Sequence, residues 1–385
     1  MTARSRYRSA GVMVLVAVFL AVAVVGDLGG GTAPPRADSI ATAPPAPPSP
    51  AGETSTSGCD RFAGPRGFDR GRGRGTLDRP YRSVKRLARS LRSGQTGCVQ
   101  PGRYSHREVA HLRSPGATLR GIGGRRPLVL DPIWIEPSAV GAGVRNLRLT
   151  SLDRTYTVPL KVQASRARIA GNRIFGGSNE SCVLVGSQNR VSGVTIERNV
   201  VRNCGHSGKF DHLLYIEDAR RTRIRWNLLI ANRGGWAVHL YPNADDSLVE
   251  HNVIDGNFGG VVIAGYGNAT SNGNLIRANA ITYSAPRRNV EASWEGRFGS
   301  GNFVTANCLF SHSADAPSGI GERWGFGVGS NAVIGGSPYV DRAGGGVRAG
   351  GGRELRARGG GGGRRGGGGD GNGEGGDARG DQRDD

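Results

Sequence analysis

Two nearby stretches hold the densest set of ionisable side chains: His206, Lys209, Asp211, His212, Tyr215, Glu217 and Asp218, then His239, Tyr241, Asp245 and His251. These residue types supply what β-elimination at a uronic acid requires, namely a cation on the carboxylate, a base for the C5 proton and an acid for the leaving oxygen. Lys209 or Arg233 would neutralise, His212 or His239 would abstract, and Tyr215 or Tyr241 would donate. Arg233, Trp236, Glu217, Asp245 and His251 are the neighbouring candidates for holding substrate. The competing reading is a solvated face on which Tyr and His pack across strands as aromatic pairs.

Strand alternation decides where these side chains point. In Val238-His-Leu-Tyr it turns Val238 and Leu240 inward and His239 and Tyr241 outward, and in Leu214-Tyr-Ile-Glu it sends Tyr215 and Glu217 outward. The two sets meet only if their strands are neighbours, and a repeat implies that they are. A phrase of Asn followed by mostly apolar residues begins at Asn146, Asn172, Asn199, Asn227, Asn252, Asn279, Asn307 and Asn331, at spacings of 26, 27, 28, 25, 27, 28 and 24. Such a period is too short for a propeller blade and carries no helical stripe, which marks a solenoid. Short runs such as Val194-Thr-Ile and Val261-Val-Ile, bounded by Gly, Asn, Asp and Ser, are strands. The expected fold is therefore all-β: a parallel β-helix of about ten coils, a rod about 50 Å long. Identical amides in one register can hydrogen-bond up and down the stack at a tight turn, which accounts for the repeated Asn. Adjacent coils would then set His239 and Tyr241 about 5 to 7 Å from Tyr215 and Glu217 on one outer face.

Composition separates the ends from this body. Residues 1–9 are basic and 10–26 apolar without a charge, so residues 1–28 are expected to be an export signal or an uncleaved membrane anchor. Residues 29–58 are mostly Pro, Ala, Thr, Ser and Gly and are expected to be a disordered spacer. Residues 59–105 are expected to cap the solenoid, which would occupy residues 106–343. Within the cap, Val84, Leu87, Ala88 and Leu91 form one helical stripe with Ser83 placed to cap it. Residues 344–385 are Gly, Arg and Asp almost throughout and are expected to be disordered.

The chain has five cysteines, and in an exported chain Cys59 and Cys98 are the expected pair, closing the segment before the repeats. Cys182 and Cys204 either pair across adjacent coils or are buried as small apolar side chains. The net charge is +20, yet Lys occurs only at 85, 161 and 209, and no zinc spacing, aromatic-basic strand signature or recognition helix accompanies it. Nucleic acid is therefore not an expected partner, whereas an acidic polysaccharide is. A membrane partner enters only through the N-terminal segment, if it is uncleaved.

The order of signal, Thr76-Leu-Asp-Arg-Pro-Tyr-Arg-Ser-Val, Gln95-Thr-Gly-Cys-Val-Gln-Pro-Gly-Arg-Tyr and Asn-led coils resembles the exported right-handed β-helix proteins of the pectate-lyase-like superfamily. It is most similar to an uncharacterised bacterial group, through Lys209-Phe-Asp-His-Leu-Leu-Tyr and Gly234-Gly-Trp-Ala-Val-His-Leu-Tyr-Pro, over about residues 59 to 343. The resemblance implies a right-handed coil and carbohydrate chemistry, with lyases, hydrolases and epimerases acting on acidic sugars. The hydrolase signature is present only as fragments in reversed order, and the Asp-Pro-His-Asp epimerase signature is absent, so elimination ranks first. No cofactor is required by the sequence. Calcium, common in the wider superfamily, would find oxygens at Glu217, Asp218, Asp245 and Asp246, without a calcium motif to hold it. A non-catalytic adhesion or scaffold rod is the alternative function.

Overall fold

The computed structural model describes residues 55–71, 73–151, 158–176, 181–204, 211–292, 297–321 and 325–335, and the backbone of 346–349 and 353–356. The leader or anchor and nearly all of the spacer lie outside the described residues, as do His206 and Lys209. Among the described residues no helix is long and apolar enough to cross a membrane.

Three parallel sheets run the length of the solenoid, of eleven, ten and eight strands, and in each the strands stack in chain order. Every full coil contributes one strand to each sheet, giving about nine turns against the ten expected. The difference arises at the ends, because the eight-stranded sheet begins only at Ala110–Leu112 and stops at Val290–Ala292. In-register stacking places like on like inside. Ile169, Ile196, Ile224, Val249, Ile276 and Val304 form one inner column of the eleven-stranded sheet. All six are fully buried, and each such side chain contributes roughly 1.5–3 kcal/mol on leaving water.

The helix Val84–Ser90 lies at the N-terminal end, its Ser83 hydroxyl accepting from the Arg86 N–H at 3.1 Å and Val84, Leu87 and Ala88 buried. Cys59 and Cys98 are disulfide-bonded, with Cα atoms 5.6 Å apart, and so are Cys182 and Cys204, at 5.4 Å. Of the two readings left open for the latter pair, pairing is what the structure holds.

The amide ladder runs through Asn172, Asn199, Asn227, Asn252, Asn279, Asn307 and Asn331, each backbone N–H donating to the next side-chain oxygen at 2.9–3.0 Å. Asn146 is not a rung, contrary to the sequence reading. It takes the left-handed conformation (φ 57°) that Gly171, Arg198, Trp226, His251, Ala278 and Ala306 adopt immediately before later rungs. Leu147 fills the rung position, its N–H held by Asn172 at 3.0 Å. Asn suits both places, since it tolerates positive φ and can bridge coils, so spacing alone could not separate them. Two shorter ladders escaped the sequence reading: Asn232 to Asn257, and Asn274 to Asn302. In the C-terminal stretch expected to be disordered, Gly346–Ala349 and Arg353–Arg356 pair antiparallel, with Val347 opposite Leu355. Most of the remainder lies outside the described residues.

Candidate functional site

The outward positions of the eight-stranded sheet form a column: His111, Trp134, Lys161, Leu184, Tyr215, His239, Val262 and Glu291, each paired with the next. Two residues further along, Glu217 precedes Tyr241 in a second column, the Tyr241 N–H reaching the Ile216 carbonyl at 2.9 Å. The expected meeting of Tyr215, Glu217, His239 and Tyr241 thus occurs.

Tyr215, His239 and Tyr241 form a shelf of three nearly parallel rings. Centroids are 5.1 Å apart for Tyr215 and His239, 5.0 Å for His239 and Tyr241 and 6.3 Å for the two tyrosines, with interplanar angles of 17–20°. Trp236 lies beside it, 2% exposed and edge-on to Phe258 at 5.6 Å. Its indole crosses the next strand at Gly259, where a Cβ would stand 2.2 Å from the ring. The indole N–H donates to Glu291, which the Arg287 guanidinium grips at 2.7 Å while lying 5.6 Å from the indole centroid.

Sequence reasoning missed both Glu291 and Arg287. Their signal was the outward position of Glu291 in Val290-Glu-Ala, but the column advances by 31, 24, 23 and 29 residues from Leu184 to Glu291, because connecting segments vary in length.

His212 and His239 stand on this outer side, yet they are buried rather than solvated, at 2% and 8% exposure. His212 sits beneath the shelf because Gly235 lets the next coil approach, a Cβ there falling 2.8 Å from His212 Nδ1. Burial holds the His212 imidazole down to about 3, and burial first, then the His212 charge, holds His239 well below its ordinary value. Both rings are therefore neutral near pH 7.

Hydrogen bonding then assigns the tautomers. The Trp236 backbone N–H donates to His212 Nδ1 at 3.3 Å, so the His212 proton is on Nε2, which donates to His239 Nδ1 at 2.8 Å. His239 must carry its own proton on Nε2. Neither ring keeps a free lone pair, so the pair presents a hydrogen-bond donor instead of the base expected from sequence. Tyr215 is likewise held protonated, by burial first and by Glu217, Tyr241 and Asp218 after it. Burial, as the first cause, also raises Glu217 from its ordinary value.

The remaining candidates disperse. Lys209 lies outside the described residues, and Arg233 is exposed in the segment leading to Trp236. His251 faces a different corner, stacked on Trp226 at 6.2 Å and 4.0 Å from Glu250. Proximity in sequence groups it with the site, but the chain turns onto the eleven-stranded sheet at Leu248–Glu250 before reaching it. Asp245 pairs with Arg190 at 3.0 Å, Asp246 with Arg220 at 3.2 Å, and Asp218 accepts from Asn243 at 2.7 Å. The four carboxylates considered for calcium thus do not converge, and among the described residues no group of three or more His, Cys, Asp or Glu is placed to hold a metal ion.

No family model matches the chain, and no curated protein matches it in sequence. Solved structures do. XylC in complex with xylose is 12% identical at a TM-score of 0.50, covering 71% of this chain and 69% of that one. Pectate lyase Pel9A is 12% identical at 0.47, covering 76% and 86%. A tailspike mutant of E. coli bacteriophage HK620 in complex with a pentasaccharide is 12% identical at 0.39, covering 63% and 48%. At these identities the likeness is one of fold, the parallel β-solenoid.

Proposed function

We propose that this chain is an exported saccharide-binding β-solenoid of the pectate-lyase-like superfamily, whose site is the outer face of the eight-stranded sheet around Tyr215, His239 and Tyr241. The carrying observation is the ring shelf with one imidazole N–H at its centre. Aromatic faces pack against the C–H faces of a pyranose, while tyrosine hydroxyls and the His239 N–H meet its hydroxyls. Trp236, Glu291 and Arg287 keep the shelf in place from beneath and beside it. Two disulfides support export, since such bonds persist outside the cytoplasm. On this reading residues 1–28 deliver or tether the chain and residues 29–58 space the solenoid from the membrane.

Binding accounts for the site better than elimination, because abstraction of a proton needs a lone pair that the Trp236–His212–His239 chain has consumed. The test is calorimetry against a panel of neutral and uronate oligosaccharides, with Tyr241→Ala expected to weaken binding by about tenfold or more. Absence of binding to every member, or identical binding by Tyr241→Ala, overturns the proposal. Ultraviolet-absorbing unsaturated product from any uronate polymer would overturn the donor assignment at His239.

A further inference from the structure

Where the chain turns onto the eleven-stranded sheet, a different sheet from that of the ring shelf, an open cleft of about 660 Å³ is bordered by Ser165, Arg166, Ser192, Thr195, Arg221 and Arg223. No carboxylate is among its lining residues. The turn that enters the sheet recurs at Gly141, Arg166, Gly193, Arg221, Asp246 and Gly273, each backbone N–H donating to a carbonyl of the following coil at 2.8–2.9 Å. All six have positive φ, from 53° to 75°. Glycine takes that conformation freely and Asp tolerates it, whereas Arg gains nothing from it locally. Two coils nevertheless hold Arg there, on either side of one that holds Gly.

The nearby carboxylates are taken by other arginines. Asp245 pairs with Arg190 at 3.0 Å, Asp246 with Arg220 at 3.2 Å, and Glu197 with Arg168 and Arg225. Among the described residues no carboxylate lies within ion-pair distance of Arg166, Arg221 or Arg223, and one Arg221 N–H donates to the Ser192 hydroxyl at 3.2 Å. Arg166 and Arg221 are two coils apart, about 10 Å at the usual strand spacing. Gly193 stands between them, and a Cβ there would meet nothing nearer than Arg166 Cγ at 3.7 Å, so the middle coil puts no side chain into the gap. Thr195 and Arg223 pair in register on the outward side of the strands that follow.

We infer that this cleft binds a phosphate group, with Arg166 on one side of it, Arg221 and Arg223 on the other, and the Ser192 and Thr195 hydroxyls between. A tetrahedral dianion offers oxygens to several guanidinium forks at once, whereas a single fork fills a carboxylate. The inference stands apart from the saccharide-binding reading, since none of its residues belongs to the shelf.

The experiment is calorimetry of the full chain with inorganic phosphate, and with acetate at matched ionic strength. Phosphate should bind saturably and acetate should not. Arg166→Gly and Arg221→Gly should each weaken phosphate binding about tenfold. Because neighbouring coils hold glycine at this position, both variants should keep or raise the thermal midpoint, so a loss of binding is not a loss of fold. Arg113→Gln, at an exposed arginine outside the cleft, makes the same change in charge and should leave binding as it is.

Two further arms distinguish the source of the phosphate: soluble glycerol phosphate, and phosphatidylcholine vesicles containing phosphatidylglycerol. Vesicle capture lost in Arg221→Gly, with only weak binding of glycerol phosphate, supports the site and assigns it a membrane surface. Equal affinity per phosphate in the two arms supports the site and assigns it a soluble phosphate ester. The inference is overturned if neither phosphate nor vesicles bind, if acetate binds as tightly as phosphate, or if Arg113→Gln loses as much as Arg221→Gly. That last result would mean general attraction to a chain of net charge +20.

Discussion

Protonating the buried histidine pair should unfold the site, and the size of the effect follows from its burial. Because burial depresses the folded-state value of His212 to about 3 from 6.5, the unfolded chain takes up the proton first as pH falls. Stability contributed by the neutral imidazole is complete above about pH 6.5 and is lost progressively toward pH 3. Between pH 7 and pH 5 the folded ring stays neutral while the unfolded one charges, which costs about 2 kcal/mol. His239 shifts in the same direction for the same first cause, so its loss has the same sign and adds to that of His212.

Ordinary unfolded carboxylates are still mostly ionised at pH 5, and comparison with a variant lacking both rings separates the pair from the other titrating groups. The assay is urea unfolding at pH 7, 6 and 5, comparing the native chain with the double variant His212→Gln, His239→Gln. The native chain should lose about 2 kcal/mol or more over the interval and the variant distinctly less, whatever its absolute stability. Equal stability of the native chain at pH 7 and pH 5, or an undiminished loss in the double variant, would refute the burial and tautomer assignment.

The ladder and the disulfides make further quantitative claims. Asn227→Ala strands the buried Asn199 N–H and Ile196 carbonyl, which should lower unfolding free energy by about 2–6 kcal/mol. Asn331→Ala, at the half-exposed last rung, should cost a fraction of that, and equal losses in denaturant titrations would contradict the ladder's role. Reduction of Cys59–Cys98 and Cys182–Cys204, which close loops of separation 39 and 22, should each cost about 3–4 kcal/mol by chain entropy. A thermal midpoint unchanged by reductant would show that neither bond constrains the unfolded chain.

The solenoid was legible because its cause is local and repeats. A side-chain amide both donates and accepts, so the same residue can satisfy the coil before and the coil after, and that demand writes itself into the spacing. The outward placement of Tyr215 and Tyr241 followed from alternation alone. The Asn146 error marks the limit of this reasoning, since one residue type served two neighbouring backbone positions. Glu291 and Arg287 were hidden by connecting segments of unequal length. The burial of His239 was hidden for another reason: an outward side chain need not be an exposed one, and Trp236 and the tyrosines cover the outer face there.

The sequence by itself determined the coil, the in-register core and the side of each strand from which its side chains project, because strand period and turn chemistry are properties of a few consecutive residues. Only the tertiary structure decided that His212 and His239 share a buried proton chain, that Glu291 reaches Trp236, and that Arg166, Arg221 and Arg223 border one cleft. Those facts depend on which residues stand one coil apart. That distance is set by the path of the whole turn, and the charge state follows from how much water the neighbouring coils leave behind.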